Sequence, residues 1–475
     1  MTVLAIDQGT SGTKAIVVDA RDGVLGLAEI PVHPRYLEGG GVEQDPGELL
    51  ESVLGAGRAA LAQAGRPIHA VSLANQGETV LAWDPDSGRP LSPAIVWQDR
   101  RAENICATMS EHRDLLAERT GLVLDPYFSA PKMAWLRRNV TGDGVVTTSD
   151  TWLLHQLTGA FVTDATTASR SLLTELGGQN WDPELLALFG LDGERLPAIV
   201  GNDDIIGTTA AFGTDTPVGG IVVDQQAALL AEACLEPGMA KCTLGTGAFL
   251  LANTGATGVR STAGLTSSVA WRISGTDTFC VDGQVYTAAS AVKWLSTMGI
   301  ISGAEEMDRI AASDHGGVLC VPALAGLAAP WWKSQAKATI SGMSLSTGRG
   351  HVVLAVLQGI AAQIAELVSA INADTAPGLS RLRVDGGLTQ SRVLMQVCAD
   401  IVGVPVDVYP SAHATALGAA ALAELSLQPG RPLRDVVPPW TPAATYEPTW
   451  NAERAAEFRS IWRDLAATTY PQEMP

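Results

Sequence analysis

Residues 219–249 constrain the fold more than any other stretch of the chain. An apolar run at 221–223 ends on Asp224, and a glycine-rich turn at 245–247 lies between two further apolar runs. A short strand that ends on a carboxylate can hold a base rigidly at the mouth of a cleft in an α/β fold. A Gly-Thr-Gly turn lets the backbone approach a phosphate group. We therefore expect a base in one half of the protein and a nucleotide-binding turn at the start of the next half.

A similar turn lies near the N-terminus. Apolar runs at 3–6 and 15–19 flank the turn DQGTSGT, a pattern that predicts a β-hairpin. Asp45 and Pro46 predict the start of a helix, and residues 68–73 return to a strand pattern. Hairpin, helix and strand in this order predict an α/β domain. Because a Gly/Thr hairpin opens each half of the chain, we expect a duplicated fold with a cleft between the halves.

The length of 475 residues favours two domains. The pattern breaks near Pro237, and we place an N-terminal domain at 1–233 and a C-terminal, nucleotide-binding domain at 234–427. In the C-terminal domain, apolar residues three or four apart between 354 and 371 predict a long helix. The proline-rich remainder, 428–475, is expected to be a tail packed on the surface.

Composition argues against two classes of partner and indicates a reducing compartment. The net charge of −19 argues against nucleic-acid or membrane binding. The first residues lack a basic segment followed by an apolar one, so we expect a cytoplasmic protein. The six cysteines contain no C-x-x-C pair and are predicted to be buried free thiols.

Three turns rich in glycine and hydroxyl residues are candidate phosphate sites, at 7–13, 244–248 and 385–391. Each offers free backbone N–H groups and little bulk, but each could also be an ordinary turn. None of the three matches a P-loop or a dinucleotide-binding fingerprint. Three such turns beside strands, divided between two halves, favour a nucleotide in the cleft.

Asp7 and Asp224 both lie at the ends of apolar strands. Either one alone could be only a helix cap or a turn former. Two carboxylates at a shared cleft suit a reaction in which one holds Mg²⁺ through water and the other takes the proton of an attacking hydroxyl. Phosphoryl transfer needs little more than this. The pair Trp331 and Trp332 is either a sugar-stacking platform or a packing pair.

Ordered motifs extend this interpretation over roughly residues 3–425. They include AIDQGT at 5–10, AIVWQDRR at 94–101, DTWLLHQLTG at 150–159, DQQAAL at 224–229, GMAKCTLGTGAF at 238–249 and LRVDGG at 382–387. On these motifs the chain resembles the FGGY carbohydrate kinases, and most closely their glycerol kinase branch. The resemblance implies the two-domain actin/hexokinase-like α/β fold, with duplicated ribonuclease-H-like domains closing on ATP and Mg²⁺. We also expect a homodimer or another homo-oligomer.

The resemblance implies a role for each matching residue. Asp224 would be the catalytic base and Asp7 would hold Mg²⁺ through water. The residues around a small polyol or sugar would be Gly77, Glu78, Trp97, Tyr127, Asp224, Gln225 and Phe249. The nucleotide-binding residues would be Thr10, Ser11, Gly12, Lys14, Thr246, Lys293, Gly386, Gly387 and Ser391.

Departures from the family pattern bear on the substrate. Gly77 stands where glycerol kinases have an Arg that donates to the polyol, and its loss opens room in the site. Lys14, Lys293, Lys333 and Ser391 also replace residues usual in the family. Glycerol is the leading acceptor, and a longer polyol or ketose such as erythritol, a pentitol or xylulose is the alternative. The loop that would indicate fructose-bisphosphate control is absent, so that regulation is not expected.

Two rival classes share the implied fold. One is a non-catalytic nucleotide switch, against which the DQQ segment and the polyol-side aromatic residues argue. The other is a degenerate kinase that senses a metabolite, which the lysines at 293 and 333 permit but the intact turns disfavour. ATP hydrolysis that no acceptor stimulates would indicate the first.

Overall fold

Strands and helices alternate through two consecutive halves of the computed structural model, which describes residues 1–470. The strands of the first half are β1 (Thr2–Gln8), β2 (Gly12–Asp19), β3 (Gly23–Pro31), β4 (Arg35–Tyr36), β5 (Val42–Gln44), β6 (Ala70–Asn75), β7 (Val80–Trp83), β8 (Ala94–Ile95), β9 (Val145–Thr148), β10 (Val162–Asp164), β11 (Ala198–Val200), β12 (Ile205–Thr209) and β13 (Thr216–Val223). Its helices are α1 (Pro46–Ala64), α2 (Glu103–Thr108), α3 (Arg113–Thr120), α4 (Ser129–Asn139), α5 (Ser149–Thr158), α6 (Ala165–Ser169), α7 (Pro183–Phe189) and α8 (Asp224–Ala231).

The second half follows the same alternation. Its strands are β14 (Ala240–Leu244), β15 (Ala248–Gly255), β16 (Thr266–Ile273), β17 (Thr276–Val285), β18 (Leu319–Val321), β19 (Thr339–Ser341), β20 (Leu382–Asp385), β21 (Val406–Val408) and β22 (Ala444–Tyr446). Its helices are α9 (Ala289–Thr297), α10 (Met307–Ile310), α11 (Arg349–Asp374), α12 (Arg392–Val402), α13 (Ala414–Leu427) and α14 (Ala452–Ala467).

The main sheets of the two halves share one topology. The first has the order β3-β2-β1-β6-β13-β12, and the second has the order β17-β15-β14-β20-β21-β22 with β16 added beyond β17. In both sheets the first three strands are antiparallel, the next two run parallel to the third, and the last strand is antiparallel. The predicted duplicated α/β fold is confirmed. A smaller sheet, β4-β5-β8-β7-β9, belongs to the first half.

Local sequence signals explain where several elements begin. The Asp45 side chain accepts from the backbone N–H of Gly47 at 2.7 Å, Pro46 takes the first position of α1, and Gly65 ends the helix in the left-handed conformation. The helix predicted between 354 and 371 lies within α11. That helix is long and apolar enough to cross a membrane, but 89% of its apolar window is buried inside the protein. It is the central helix of the second core.

The C-terminal residues are more deeply integrated than expected. Strand β22 extends the second sheet, and Trp462 of α14 is fully buried beside α11. The Trp462 indole donates to the carbonyl of Cys320 at 2.8 Å. A surface-packed tail at 428–475 is therefore wrong for α14, because a large aromatic side chain there completes the core. All six cysteines are buried and free, as predicted.

Candidate functional site

A cavity of about 260 Å³ lies between the two halves, where both sheets present the ends of their central strands. It brings together most of the residues expected at the acceptor and at the phosphate turns. The predicted residues that line it are Thr10, Ser11, Gly77, Glu78, Trp97, Tyr127, Asp224, Gln225, Thr246 and Phe249.

Asp224 is the first residue of α8 and directly follows β13. The backbone N–H of Gln225 donates to Asp224 Oδ1 at 2.7 Å. Burial raises the pKa of Asp224, while the Lys241 cation and the Gln225 N–H oppose that rise. A carboxylate with a raised pKa is better suited to accept a proton near neutral pH than an ordinary surface carboxylate.

A buried polar cluster fixes the end of β13 and therefore the position of Asp224. The Val223 N–H donates to Thr166 Oγ1 at 2.9 Å. The Asn202 amide donates to the Ile221 carbonyl at 2.6 Å and to Asp164, which caps α6. The candidate base consequently stands on a strand end whose backbone is held by side chains from two neighbouring elements.

One wall of the cavity is a buried cluster of three charged side chains. Arg170 pairs with Glu78 and donates to Asp282 Oδ1 at 2.9 Å, and all three residues are buried. Glu78 has a backbone φ of +59°, which is unusual for a residue other than glycine and is typical of functional sites. Because Asp282 lies on β17, Arg170 joins the two halves across the cavity.

Sequence reasoning missed Arg170 and Asp282. The missed signal was the run TDATTASRS at 163–171, which places an Arg among small and hydroxyl residues. Such a run is typical of a tightly packed polar interior, where an Arg must be paired.

Aromatic side chains form the opposite wall. The Trp97 ring lies edge-on to those of Tyr127 and Phe249, with centroids 5.6 Å and 5.7 Å away. The Trp97 indole also donates to Thr10 Oγ1 at 2.9 Å, and that hydroxyl donates to Gln76 Oε1 at 3.1 Å. The first glycine-rich turn is thus hydrogen-bonded to the acceptor side of the cavity.

Gly77 lines the cavity next to Glu78. A Cβ atom added at Gly77 would approach Val223 Cγ1 to 3.3 Å, and its next neighbour, Val223 Cγ2, would be at 3.8 Å. A larger side chain at this position would therefore reduce the space near Val223, directly before the candidate base.

Asp7 lies next to the first turn, one residue before the end of β1. Burial and the nearby Asp224 raise the pKa of Asp7 to about 7, and Lys14 opposes this. The Lys14 ammonium donates to the carbonyl of Ala412 at 3.4 Å. Among residues 1–470, no group of three His, Cys, Asp or Glu residues forms a ready metal cage. A single carboxylate, that of Asp7, fits a Mg²⁺ ion whose other ligands are water and phosphate oxygens.

The nucleotide-side residues surround the second turn and the end of β20. The N–H of Ala288 donates to the Thr246 carbonyl at 2.9 Å, and α9 then places Lys293 on the surface. Gly386 has a φ of +95°, and a Cβ there would lie 2.5 Å from the Leu244 carbonyl oxygen. Only glycine permits this close approach between the two turns.

Ser391 has partners inside the protein. Its hydroxyl donates to Asp308 Oδ1 at 2.5 Å and accepts from the Leu394 N–H at 3.1 Å, and the second of these bonds caps α12. The predicted site residues that do not line the cavity are Asp7, Gly12, Lys14, Lys293, Gly386, Gly387 and Ser391.

Trp331 and Trp332 do not line the cavity either. The Trp331 ring lies 5.9 Å from that of Trp462, and the Trp332 indole donates to the Gly264 carbonyl at 2.8 Å. These contacts favour the packing interpretation of the pair over the sugar platform.

Comparisons with known proteins identify the family of the chain. Residues 2–231 match the N-terminal domain of the FGGY family of carbohydrate kinases, and residues 240–427 match the C-terminal domain of that family. A glycerol kinase of Alkalilimnicola ehrlichii is 43% identical over 441 residues, which cover 89% of each chain. Glycerol kinase 2 of Thermotoga maritima is 38% identical over 98% of each chain.

Solved structures give the same result. The structure of Plasmodium falciparum glycerol kinase with ADP matches with a TM-score of 0.91 and 31% identity, covering 99% of each chain. A xylulose kinase from Rhodospirillum rubrum, at 23% identity, shares the fold with a TM-score of 0.85 over 98% of this chain and 99% of its own.

Proposed function

Since the chain belongs to the FGGY family of carbohydrate kinases, we propose that it transfers the γ-phosphoryl group of ATP to a terminal hydroxyl of glycerol. The observation that carries this proposal is the position of Asp224 in a cavity lined by both glycine-rich turns. Relatives named glycerol kinase, about 40% identical over nearly the whole chain, support glycerol as the acceptor.

In the proposed reaction, Asp224 accepts the proton of the acceptor hydroxyl as its oxygen attacks the γ-phosphorus. The new O–P bond forms while the bond to the β-phosphate oxygen breaks, and ADP leaves with that electron pair. Asp224 then returns its proton to solvent. The backbone N–H groups of the two turns are placed to neutralise charge on the phosphate oxygens.

The cavity walls would orient the acceptor. Glu78, fixed by Arg170, offers a carboxylate that accepts from acceptor hydroxyls. Trp97 and Phe249 would cover the carbon chain and exclude water from the reacting oxygen. The roles of these residues are part of the proposal.

Mg²⁺ fits the charge of the site, because burial and the nearby carboxylates of Asp224 and Asp385 raise the pKa of Asp7. Asp385 Oδ1 is also buried without a hydrogen-bond partner among the described residues. Asp7 would hold the ion, and when bound the ion would neutralise phosphate charge. Water and ATP would supply its remaining ligands.

Gly77 favours one alternative class of acceptor, a longer polyol or a ketose. Gly77 lines the cavity and places no side chain in it, and a four- or five-carbon polyol or a ketose would fill more of that cavity than glycerol. The identity to named glycerol kinases favours glycerol over these acceptors.

The test is an acceptor panel. The purified chain would be assayed with ATP and Mg²⁺ for ADP release against glycerol, erythritol, pentitols and ketoses. We expect the highest kcat/KM with glycerol and a phosphorylated product by ³¹P NMR. A higher kcat/KM with a longer acceptor would overturn glycerol as the substrate. ATP hydrolysis that no acceptor stimulates would instead indicate a nucleotide switch.

The setting of the reaction completes the proposal. A small polyol or sugar is the expected partner, and the net charge of −19 disfavours nucleic acid and membranes. We further propose that the protein is cytoplasmic. We also propose a homodimer or another homo-oligomer, and light scattering of the purified chain would test this oligomeric state.

A further inference from the structure

Lys241 is a fully buried lysine that crosses between the two halves. It lies on β14 of the second sheet, and its Nζ donates to Gln225 Oε1 at 2.5 Å. Gln225 belongs to α8 of the first half. The same Nζ donates to Thr243 Oγ1 at 2.8 Å, since residues two apart on a strand share a face. Burying an ammonium group is costly, so its partners are expected to matter.

Both partners of Lys241 line the cavity. Gln225 adjoins Asp224, and Thr243 leads into the second glycine-rich turn. Lys241 therefore connects the acceptor side of the cavity to the phosphate side without lining the cavity itself.

The chemistry of the contact fixes the orientation of the Gln225 amide. An ammonium group has three donors and no acceptor, so only the amide oxygen can face Lys241. The amide nitrogen then lies on the opposite edge of the planar amide group, away from Lys241. Gln225 thereby presents its two N–H donors, and not a carbonyl oxygen, toward the Asp224 carboxylate and the remaining space of the cavity.

Carboxyl groups around Lys241 supply the compensating charge. Asp224, Glu232 and Asp385 all lie within its electrostatic reach. Burial and the neighbouring Asp385 raise the pKa of Glu232 well above its ordinary value, and the Lys241 ammonium opposes that rise. These carboxyl groups favour the charged form of the buried ammonium. Removing Lys241 would leave them without its positive charge.

We propose that Lys241 is a positioning residue that holds the Gln225 amide with its nitrogen toward the acceptor oxygen that Asp224 deprotonates. The acceptor hydroxyl then donates to Asp224 while its oxygen accepts from Gln225 Nε2. This selects an acceptor whose reacting group has both a proton and free lone pairs. The inference rests on the proposed function and adds a residue outside the cavity to it.

The main test is a double-mutant cycle with Lys241→Met and Gln225→Met, assayed with glycerol and ATP. Each single variant is expected to raise the acceptor KM at least tenfold and to change the ATP KM less than twofold. In the Gln225→Met background, Lys241→Met should add less than twofold, because its effect passes through Gln225. Lys241→Arg keeps an N–H donor for Gln225 Oε1, so its acceptor KM should be close to the wild-type value. The inference would be overturned if the effects of the two single variants on the acceptor KM multiply in the double variant. An unchanged acceptor KM in Lys241→Met would also overturn it.

A second variant covers the case in which Lys241→Met does not fold. Gln225→Glu keeps a partner for Lys241 and the fold, but it replaces the N–H donor with an oxygen. We expect an unchanged or higher Tm together with an acceptor KM raised at least tenfold. An unchanged acceptor KM in Gln225→Glu would contradict the proposed orientation. If the wild-type chain phosphorylates no polyol, the proposed function fails instead, which the same assay shows separately.

Discussion

The two sheets share a strand order, but the ends of their corresponding strands carry different side chains. In the first sheet, Asp7 lies near the end of β1 and Asp224 directly follows β13. In the second, β14 ends on Leu244 and β21 is followed by Tyr409. Tyr409 stacks on Trp440 with ring centroids 5.8 Å apart. The common topology opens the cleft, and in the proposed reaction the strand-end side chains decide which half carries proton transfer.

The second half contributes different chemistry to the same cavity. It supplies the backbone of the Gly245–Gly247 turn, the Lys241 cation and the Asp282 partner of Arg170. Asp7 and Asp224, the two carboxylates of the proposed reaction, come from the first half, whereas Lys241 and Asp282 of the second half hold Gln225 and Arg170 beside them. A duplicated fold can divide one reaction in this way because each half needs to change only at its strand ends.

The largest expected effect is the loss of the strand-end carboxylate of the first half. Asp224→Asn should lower kcat by about 10² to 10⁴-fold, the contribution typical of a general base. ATP binding, measured by calorimetry, should persist. The matched control is Tyr409→Phe at the corresponding strand end of the second half, which should leave kcat unchanged. If both variants lose activity equally, the functional asymmetry of the two sheets is wrong.

The next effect concerns Arg170, which ties the halves together. Arg170→Met would leave Glu78 and Asp282 buried without their cation. Breaking such a pair from one side typically costs about 3 to 5 kcal/mol of unfolding free energy. We expect a clearly lower midpoint in urea together with a raised acceptor KM.

The control for Arg170 is Arg66→Ala, which breaks an exposed ion pair with Asp22. Its urea midpoint should stay within error of the wild type. A stable Arg170→Met variant would mean that the two halves are joined mainly by apolar packing.

Arg170 also marks the limit of sequence reasoning for this protein. Elements with local signals were predictable: Asp45 and Pro46 begin α1, and apolar residues three or four apart predict the helix that lies within α11. Asp224 was predictable because a short apolar strand ended on it. Arg170 and Lys241 were not, because their partners lie 112 and 16 residues away in sequence, on other elements.

The C-terminal residues were misjudged for a related reason. A proline-rich segment at 428–448 suggests a surface tail, but the helix that follows carries Trp462 into the second core. Proline density describes local backbone stiffness and says nothing about burial of a later helix. The burial of α14 depends on its packing against α11, a contact between segments far apart in the sequence.

A smaller effect is expected from substituting a glycine at the cavity, and it compares Gly77 of the first half with Gly387 of the second. Gly77→Arg would place a donor group in the acceptor side of the cavity and fill space beside Val223. We expect the kcat/KM ratio of glycerol to erythritol to rise about 10- to 100-fold, as for a site that gains hydrogen bonds and loses room. The assay is the acceptor panel.

Gly387→Ala is the matched control, because an added Cβ there meets nothing within 4 Å. It should leave the acceptor ratio unchanged and affect at most the ATP KM. An equal change of the acceptor ratio in both variants would contradict the assignment of the acceptor to the first half.

The smallest expected effect distinguishes the two sheets by their response to Mg²⁺. The pKa of Asp7 is raised to about 7 by burial and by Asp224, above the ordinary value of 3.8. A raised carboxyl pKa contributes stability that is fully present below the ordinary pKa and is lost as pH rises through about 7. Deprotonated Asp7 is the form that binds Mg²⁺, so the ion should restore part of that stability at high pH. The increase in Tm on replacing EDTA with Mg²⁺ should therefore be larger at pH 8 than at pH 6. In Asp7→Asn this pH dependence should disappear, whereas Tyr409→Phe in the second sheet should keep it. A Mg²⁺ effect that is equal at both pH values in the wild type would place the ion away from Asp7.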